Sequence, residues 1–149
     1  MKAVLMAMSA AMIVSTASTD VDVYSAQDLH AISQKLAARN SNFASQPLEK
    51  YGNHYTMVAF REQTGSAEVH ETEADVFVVI DGTAGLITGG KLVNAHTDKA
   101  GELRGTSIEG GKRQTVEKGS IIHISAGVPH QLIVDNGPFT YFVVKVTGQ

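Results

Sequence analysis

Four side chains of this sequence have the types and the spacing to hold a metal ion: Glu68, His70, Asp75 and His130. Glu68 and His70 lie two residues apart, so on an extended strand they point to one face. Asp75 follows beyond a short turn, at the start of the apolar run 76–80, and supplies a third ligand. His130 stands behind the tight turn Ala126-Gly127-Val128-Pro129, at the head of another apolar run, and supplies a fourth. Imidazole nitrogens combined with carboxylate oxygens suit iron, manganese or zinc and leave open positions for a substrate or dioxygen. Two carboxylates enclosed together raise each other's pKa unless a cation keeps both ionised. Either both coordinate, or one coordinates while the other orients a ligand or serves as a general base.

The two segments that carry these residues, 67–82 and 117–134, resemble the two motifs of the cupin superfamily. The first motif, His-x-His, a few residues, Glu, six residues and Gly, reads here as Glu68-x-His70, four residues, Asp75, six residues and Gly82. The second reads Gly119-Ser120, then Ser125-Ala126-Gly127, then Val128-Pro129-His130. Three identities depart: Glu68 replaces the first His, Asp75 the Glu, and Ser125 the Pro of Pro-x-Gly. The resemblance covers about 51–146. It implies an all-β fold, a single cupin jelly roll (double-stranded β-helix barrel), here preceded by an N-terminal α-helix. It also implies a divalent metal in the barrel, and either a metal-dependent oxygenase, isomerase, lyase or decarboxylase or a non-catalytic cupin that binds or senses a small molecule. A homodimer formed through the sheets is a further implication, with 141–146 as one interface.

Other residues can meet a substrate or move a proton. His123 shares strand parity with Ile121, so it faces the core if Ile121 does, and it is a candidate acid or base. Tyr141 and Arg104 are further catalytic candidates, and Arg61 and His54 are pocket candidates.

The elements that must position these groups are short strands. Alternating or apolar runs at 55–61, 67–70, 76–80, 84–88, 91–93, 113–117, 121–124, 132–134 and 141–146, broken by Gly-containing turns, predict an antiparallel sandwich or barrel. Ser25, followed three residues later by Asp28, caps a predicted helix over 26–39 with Leu29, Ile32 and Leu36 on one face. Residues 40–46 are polar and Pro47 interrupts, which reads as a connector, so the domain plan is 25–50 for helix and connector and 51–147 for the barrel. Residues 94–111 form a long polar stretch with four glycines, carrying His96, Glu102 and Arg104. A loop of that length is expected to act as a lid over the barrel mouth or as a subunit contact.

Composition removes other classes. At 149 residues with 43% hydrophobic content, the chain makes one domain with a real core. A net charge of −3 with no basic run gives no footprint for nucleic acid, which leaves a small molecule as the expected partner. The absence of cysteine excludes thiolate ligands and cysteine nucleophiles. Residues 85–91 have the spacing of a phosphate-binding loop, but Leu92 stands where a Ser or Thr must reach magnesium, so a β-hairpin fits better. No Gly-x-Ser-x-Gly elbow is present. At the N-terminus, Lys2, the apolar run 3–14 and the small residues 15–18 match a secretory signal over 1–18, cleaved near Ala17 or Ser18. That run falls short of the ~20 residues a membrane span needs, so a secreted or periplasmic product is expected.

Overall fold

The computed structural model of the chain describes residues 21–148; the signal segment expected over 1–18 lies outside the described residues. Helix α1 (Ala26–Ala37) is closed at its start by the expected capping box: Ser25 Oγ accepts from the Asp28 N–H, and the Asp28 carboxylate accepts from the Ser25 N–H. Ile32 and Leu36 form its buried face. No helix among the described residues is long and apolar enough to cross a membrane.

Thirteen strands follow among the described residues. The first seven are β1 (Phe43–Lys50), β2 (His54–Arg61), β3 (Ala67–His70), β4 (Glu73–Asp81), β5 (Thr83–Thr88), β6 (Lys91–Val93) and β7 (His96–Lys99). The rest are β8 (Glu102–Gly105), β9 (Ser107–Glu109), β10 (Lys112–Glu117), β11 (Ile121–Ile124), β12 (His130–Ile133) and β13 (Phe139–Thr147). A five-stranded sheet has the order β1-β2-β13-β4-β11, a six-stranded sheet the order β10-β5-β12-β3-β8-β7, and β6 pairs with β9. The large sheets are antiparallel throughout.

Strand periodicity explains how the layers divide. In β2, Thr56, Val58 and Phe60 alternate with Met57, Ala59 and Arg61. Val58 and Phe60, with Ala44 of β1, pack under Ile32 and Leu36, so the helix covers the outer face of the five-stranded sheet. The inner face meets the six-stranded sheet through Phe77, Val79, Phe139, Tyr141 and Val143 on one side and Ala84, Leu86, Val116 and Leu132 on the other. The 141–146 run proposed as an interface is therefore part of the central strand β13, paired on both sides, with Tyr141 and Val143 in the core.

Four sequence expectations need correction. The connector at 40–50 is largely strand β1: it is an edge strand, where Pro47 loses no ladder bond that the sheet requires, and the register shifts between Pro47 and Lys50. The hairpin at 85–92 does not form, because β5 pairs with β10 and β12 while β6 pairs with β9. The loop expected over 94–111 is instead built from strands: β8 lies between β3 and β7, and Gly101, at φ 78°, turns the chain between β7 and β8. Finally, β11 turns its Ile121 face to solvent, with Ile121 74% exposed, and His123 is exposed with it while Ile124 enters the core.

Candidate metal centre

Strand register brings the four sequence-chosen ligands together. Glu68 and His70 project from the same face of β3, as their spacing requires, and His130 at the head of β12 stands directly opposite Glu68. Gly127 secures the turn before it: at φ 78°, its N–H donates to the His70 carbonyl at 2.8 Å, tying the two histidine segments to each other. Asp75 comes from the facing sheet, on β4. His70, Asp75 and His130 are buried, at 6%, 2% and 2% exposure.

The outer nitrogen of each histidine fixes its tautomer. His70 Nδ1–H donates to the Glu102 carboxylate, 2.7 Å from both oxygens, and His130 Nδ1–H donates to the Val128 carbonyl at 3.0 Å. Neither partner can donate, so each neutral ring turns an Nε2 lone pair inward. Asp75 Oδ2 lies 3.4 Å from His70 Nε2 and 3.5 Å from His130 Nε2. Glu68 Oε1 lies 3.9 and 3.3 Å from the same two nitrogens. His70 Nε2, His130 Nε2 and Asp75 Oδ2 are buried without a hydrogen-bond partner. Lone pairs that converge in this way repel unless a cation sits among them. Glu68, His70 and His130 place ligand atoms within 4.8 Å of one another, a spacing that can close on a small divalent ion, and Asp75 Oδ2 adjoins both histidine nitrogens.

Each of the two candidate carboxylates is held from behind by a cation on a neighbouring strand. Glu68 faces Arg104 across the β3–β8 ladder, and its Oε2 pairs with Arg104 Nη1. Asp75 faces Lys145 across the β4–β13 ladder, with Lys145 Nζ 2.7 Å from Oδ1, close in charge though not aligned as a hydrogen bond. Glu102 reaches His70 by the same register rule. Three cross-strand pairs thus orient three of the four candidate side chains. Burial lowers the pKa of both His70 and His130, with Lys145 a lesser cause at His70, so both rings favour the neutral form that binds metal.

Beside these groups lies a cavity of about 240 Å³ lined by Tyr55, Met57, Arg61, Phe77, Tyr141 and Lys145 among others. Tyr141 is buried there, its oxygen accepting from Arg61 Nε at 3.0 Å. Arg104 also lines it but is engaged by Glu68 and, at 3.4 Å, by Glu102. Glu73 lines it too, accepting from the Tyr55 hydroxyl at 3.1 Å. His123 and His54 do not line it; His54 stacks on Tyr51 with ring centroids 4.5 Å apart. Sequence reasoning left Glu102 and Lys145 out of the site. The signal for Glu102 was its place in Glu102-x-Arg104, an acid-then-base alternation like Glu68-x-His70, which pairs acid with base when the two strands run antiparallel.

No protein-family model matches the sequence, and no curated protein is similar to it in sequence. Solved structures do share the fold. An uncharacterised Klebsiella pneumoniae protein with a double-stranded β-helix domain superposes at TM-score 0.59 and 16% identity, over 87% of this chain and 93% of that one. A cupin 2 conserved barrel domain protein of Salinispora arenicola gives 0.50 and 15%, over 70% and 76%. The DMSP lyase DddQ of Ruegeria pomeroyi gives 0.51 and 16%, over 70% of this chain but only 47% of that enzyme. The fold of this chain is that of the cupins, the double-stranded β-helix.

Proposed function

We propose that this protein is a metal-dependent enzyme: Glu68, His70, Asp75 and His130 hold one iron, manganese or zinc ion, and a small polar molecule is transformed in the adjoining cavity. The observation that carries this reading is the convergence of inward-facing lone pairs on His70, His130, Asp75 and Glu68, three of the atoms buried and without partners. When bound, the ion supplies Lewis acidity at a substrate oxygen, or a seat for dioxygen. The chain supplies the rest. Arg104, Lys145 and Glu102 keep the ligand atoms aimed inward, so little reorganisation accompanies binding.

Tyr141 is the residue placed to hand a proton to substrate, because Arg61 occupies its oxygen while its own O–H has no acceptor among the described residues. Glu73 is a carboxylate of the cavity outside the four-ligand set, which provides a base. A base of that kind favours an enzyme over a purely binding protein. The fold hosts enzymes elsewhere, the Ruegeria DMSP lyase among its neighbours. Oxygenation, isomerisation, elimination and decarboxylation all use these parts, and the site rather than the fold selects among them.

Elemental analysis of protein purified without added metal tests the reading. One divalent ion per chain in the wild type and its loss in His70→Ala and His130→Ala is expected; full retention by both variants defeats it. Export belongs to the same proposal, since a signal segment over 1–18 delivers the enzyme outside the cytoplasm. A bacterial expression with the native N-terminus should then yield extracytoplasmic protein beginning near Ser18 or Thr19, whereas intact Met1 on a soluble cytosolic product counts against it.

A further inference from the structure

Arg61 is the one cavity guanidinium whose fork is unused. It is nearly buried, its side chain 12% exposed, and only Nε makes a hydrogen bond, to Tyr141. Among the described residues, Nη1 and Nη2 donate to nothing, and the nearest carboxylate oxygen, Glu68 Oε1, is 4.0 Å from Nη2. Neither nitrogen is among the fully buried atoms that lack a partner, so both donors are open to the cavity and free to meet a ligand. The surroundings hold the group in place. The guanidinium carbon lies 4.7 Å over the Phe43 ring, and Gly65 leaves it room, since a Cβ there would sit 2.1 Å from Nη1. Arg104, by contrast, already spends its fork on Glu68 and Glu102.

The charge count of the cavity points the same way. Arg61, Lys99, Arg104 and Lys145 balance Glu68, Glu73, Asp75 and Glu102, so a bound dication leaves a surplus of two positive charges. Met57, Ala59, Phe77 and Val143 give the rest of the wall an apolar character. A volume of about 240 Å³ lies below the ~300–1,000 Å³ of sites for drug-sized ligands.

From these observations we infer that the cavity takes a small organic carboxylate with a short apolar body, its carboxylate received in a bidentate contact by Arg61 and its other end directed to the metal. The inference rests on the proposed function, because the positive surplus requires the ion. Glu68 Oε1 is 4.0 Å from Arg61 Nη2 and 3.3 Å from His130 Nε2, so the guanidinium and that nitrogen are close enough for one small molecule to reach both. Arg61 then acts as a specificity residue: its planar fork matches a carboxylate as no lysine does.

The test is calorimetric titration of propionate, with propionamide as the neutral isostere, into protein loaded with Mn²⁺ and into metal-free protein. Wild type with Mn²⁺ should bind propionate and not propionamide. Arg61→Gln and Arg61→Lys should each weaken propionate about tenfold or more while taking up Mn²⁺ as wild type does. Gly65→Ala, which displaces the guanidinium without touching its charge, should weaken propionate in the same direction and keeps the test open if an Arg61 variant does not fold. Equal binding of acid and amide, no binding of either, or full affinity in Arg61→Lys overturns the inference. Failure to take up Mn²⁺ counts against the metal reading instead. In that case Arg61-dependent propionate binding by metal-free protein still supports the receptor assignment, and its absence overturns it.

Discussion

The space between the two large sheets has an apolar part and a charged part, built from the same strands. Val79, Leu86, Val116, Leu132 and Phe139 fill the first, with no polar atoms to satisfy. Glu68, His70, Asp75 and Glu102 line the second, with His130 Nε2 set against Glu68 and Asp75 and with Phe77 and Tyr141 belonging to both parts. Burial of apolar side chains is favourable without direction, so the first part stabilises the fold wherever the side chains fit. Burial of charge is unfavourable unless each atom has a partner, and here cross-strand partners satisfy the outer atoms while leaving the inner ones facing each other. The fold thus draws its stability from one part and holds the candidate site in the other.

That division is open to attack from both sides. The largest effect on stability belongs to the apolar part: Phe139, 1% exposed, cut back in Phe139→Ala should cost about 3–5 kcal/mol in denaturant unfolding, with metal uptake by the remaining folded protein intact. In the charged part, His130→Ala removes an inward-facing nitrogen. Metal affinity should fall by more than the ~10–100-fold that loss of an outer partner costs, with the far-ultraviolet spectrum of a folded β protein retained. Glu102→Gln keeps the shape but removes the charge that orients His70, and a loss of about 10–100-fold in metal affinity is expected from competition with a chelator. A Glu102→Gln protein with unchanged affinity would reduce that residue to packing.

The smallest effect is on pH dependence. Burial lowers the pKa of His70 and His130 in the folded chain, below the ordinary value near 6.5. As pH falls through that value the unfolded chain binds protons first, so metal-free protein should lose stability on acidification until the folded pKa values are reached. Thermal unfolding of metal-free protein between pH 7.5 and about 5 reads this slope. The double variant His70→Ala, His130→Ala should lack that part of it.

Much of the site was legible because two simple periods carried it. The spacing of Glu68 and His70 put both on one face of a strand, and the turn before His130 marked a strand start. Ser25 and Asp28 announced the helix. What escaped did so for physical reasons. Strand reading depends on apolar residues recurring every second position, and β8 lines a charged cavity, so Glu102 and Arg104 looked like loop. Lys145 lies in an otherwise apolar strand, and only pairing between β4 and β13 reveals that it faces Asp75. The parity of His123 with Ile121 was legible but its face was not: β11 is an edge strand, and Ile121 is an apolar residue turned to solvent. Pro47 suggested a break in a segment that, as an edge strand, tolerates it.

The central claim is that four side chains from two facing sheets share one ion. Anomalous diffraction from crystals of the metal-loaded protein, recorded on either side of the metal absorption edge, tests it most directly. A single peak within bonding distance of His70 Nε2, His130 Nε2, Asp75 Oδ2 and Glu68 Oε1 is the expected result. A peak that leaves out both histidine Nε2 atoms, or a fully metal-loaded sample with no peak between the sheets, would contradict it.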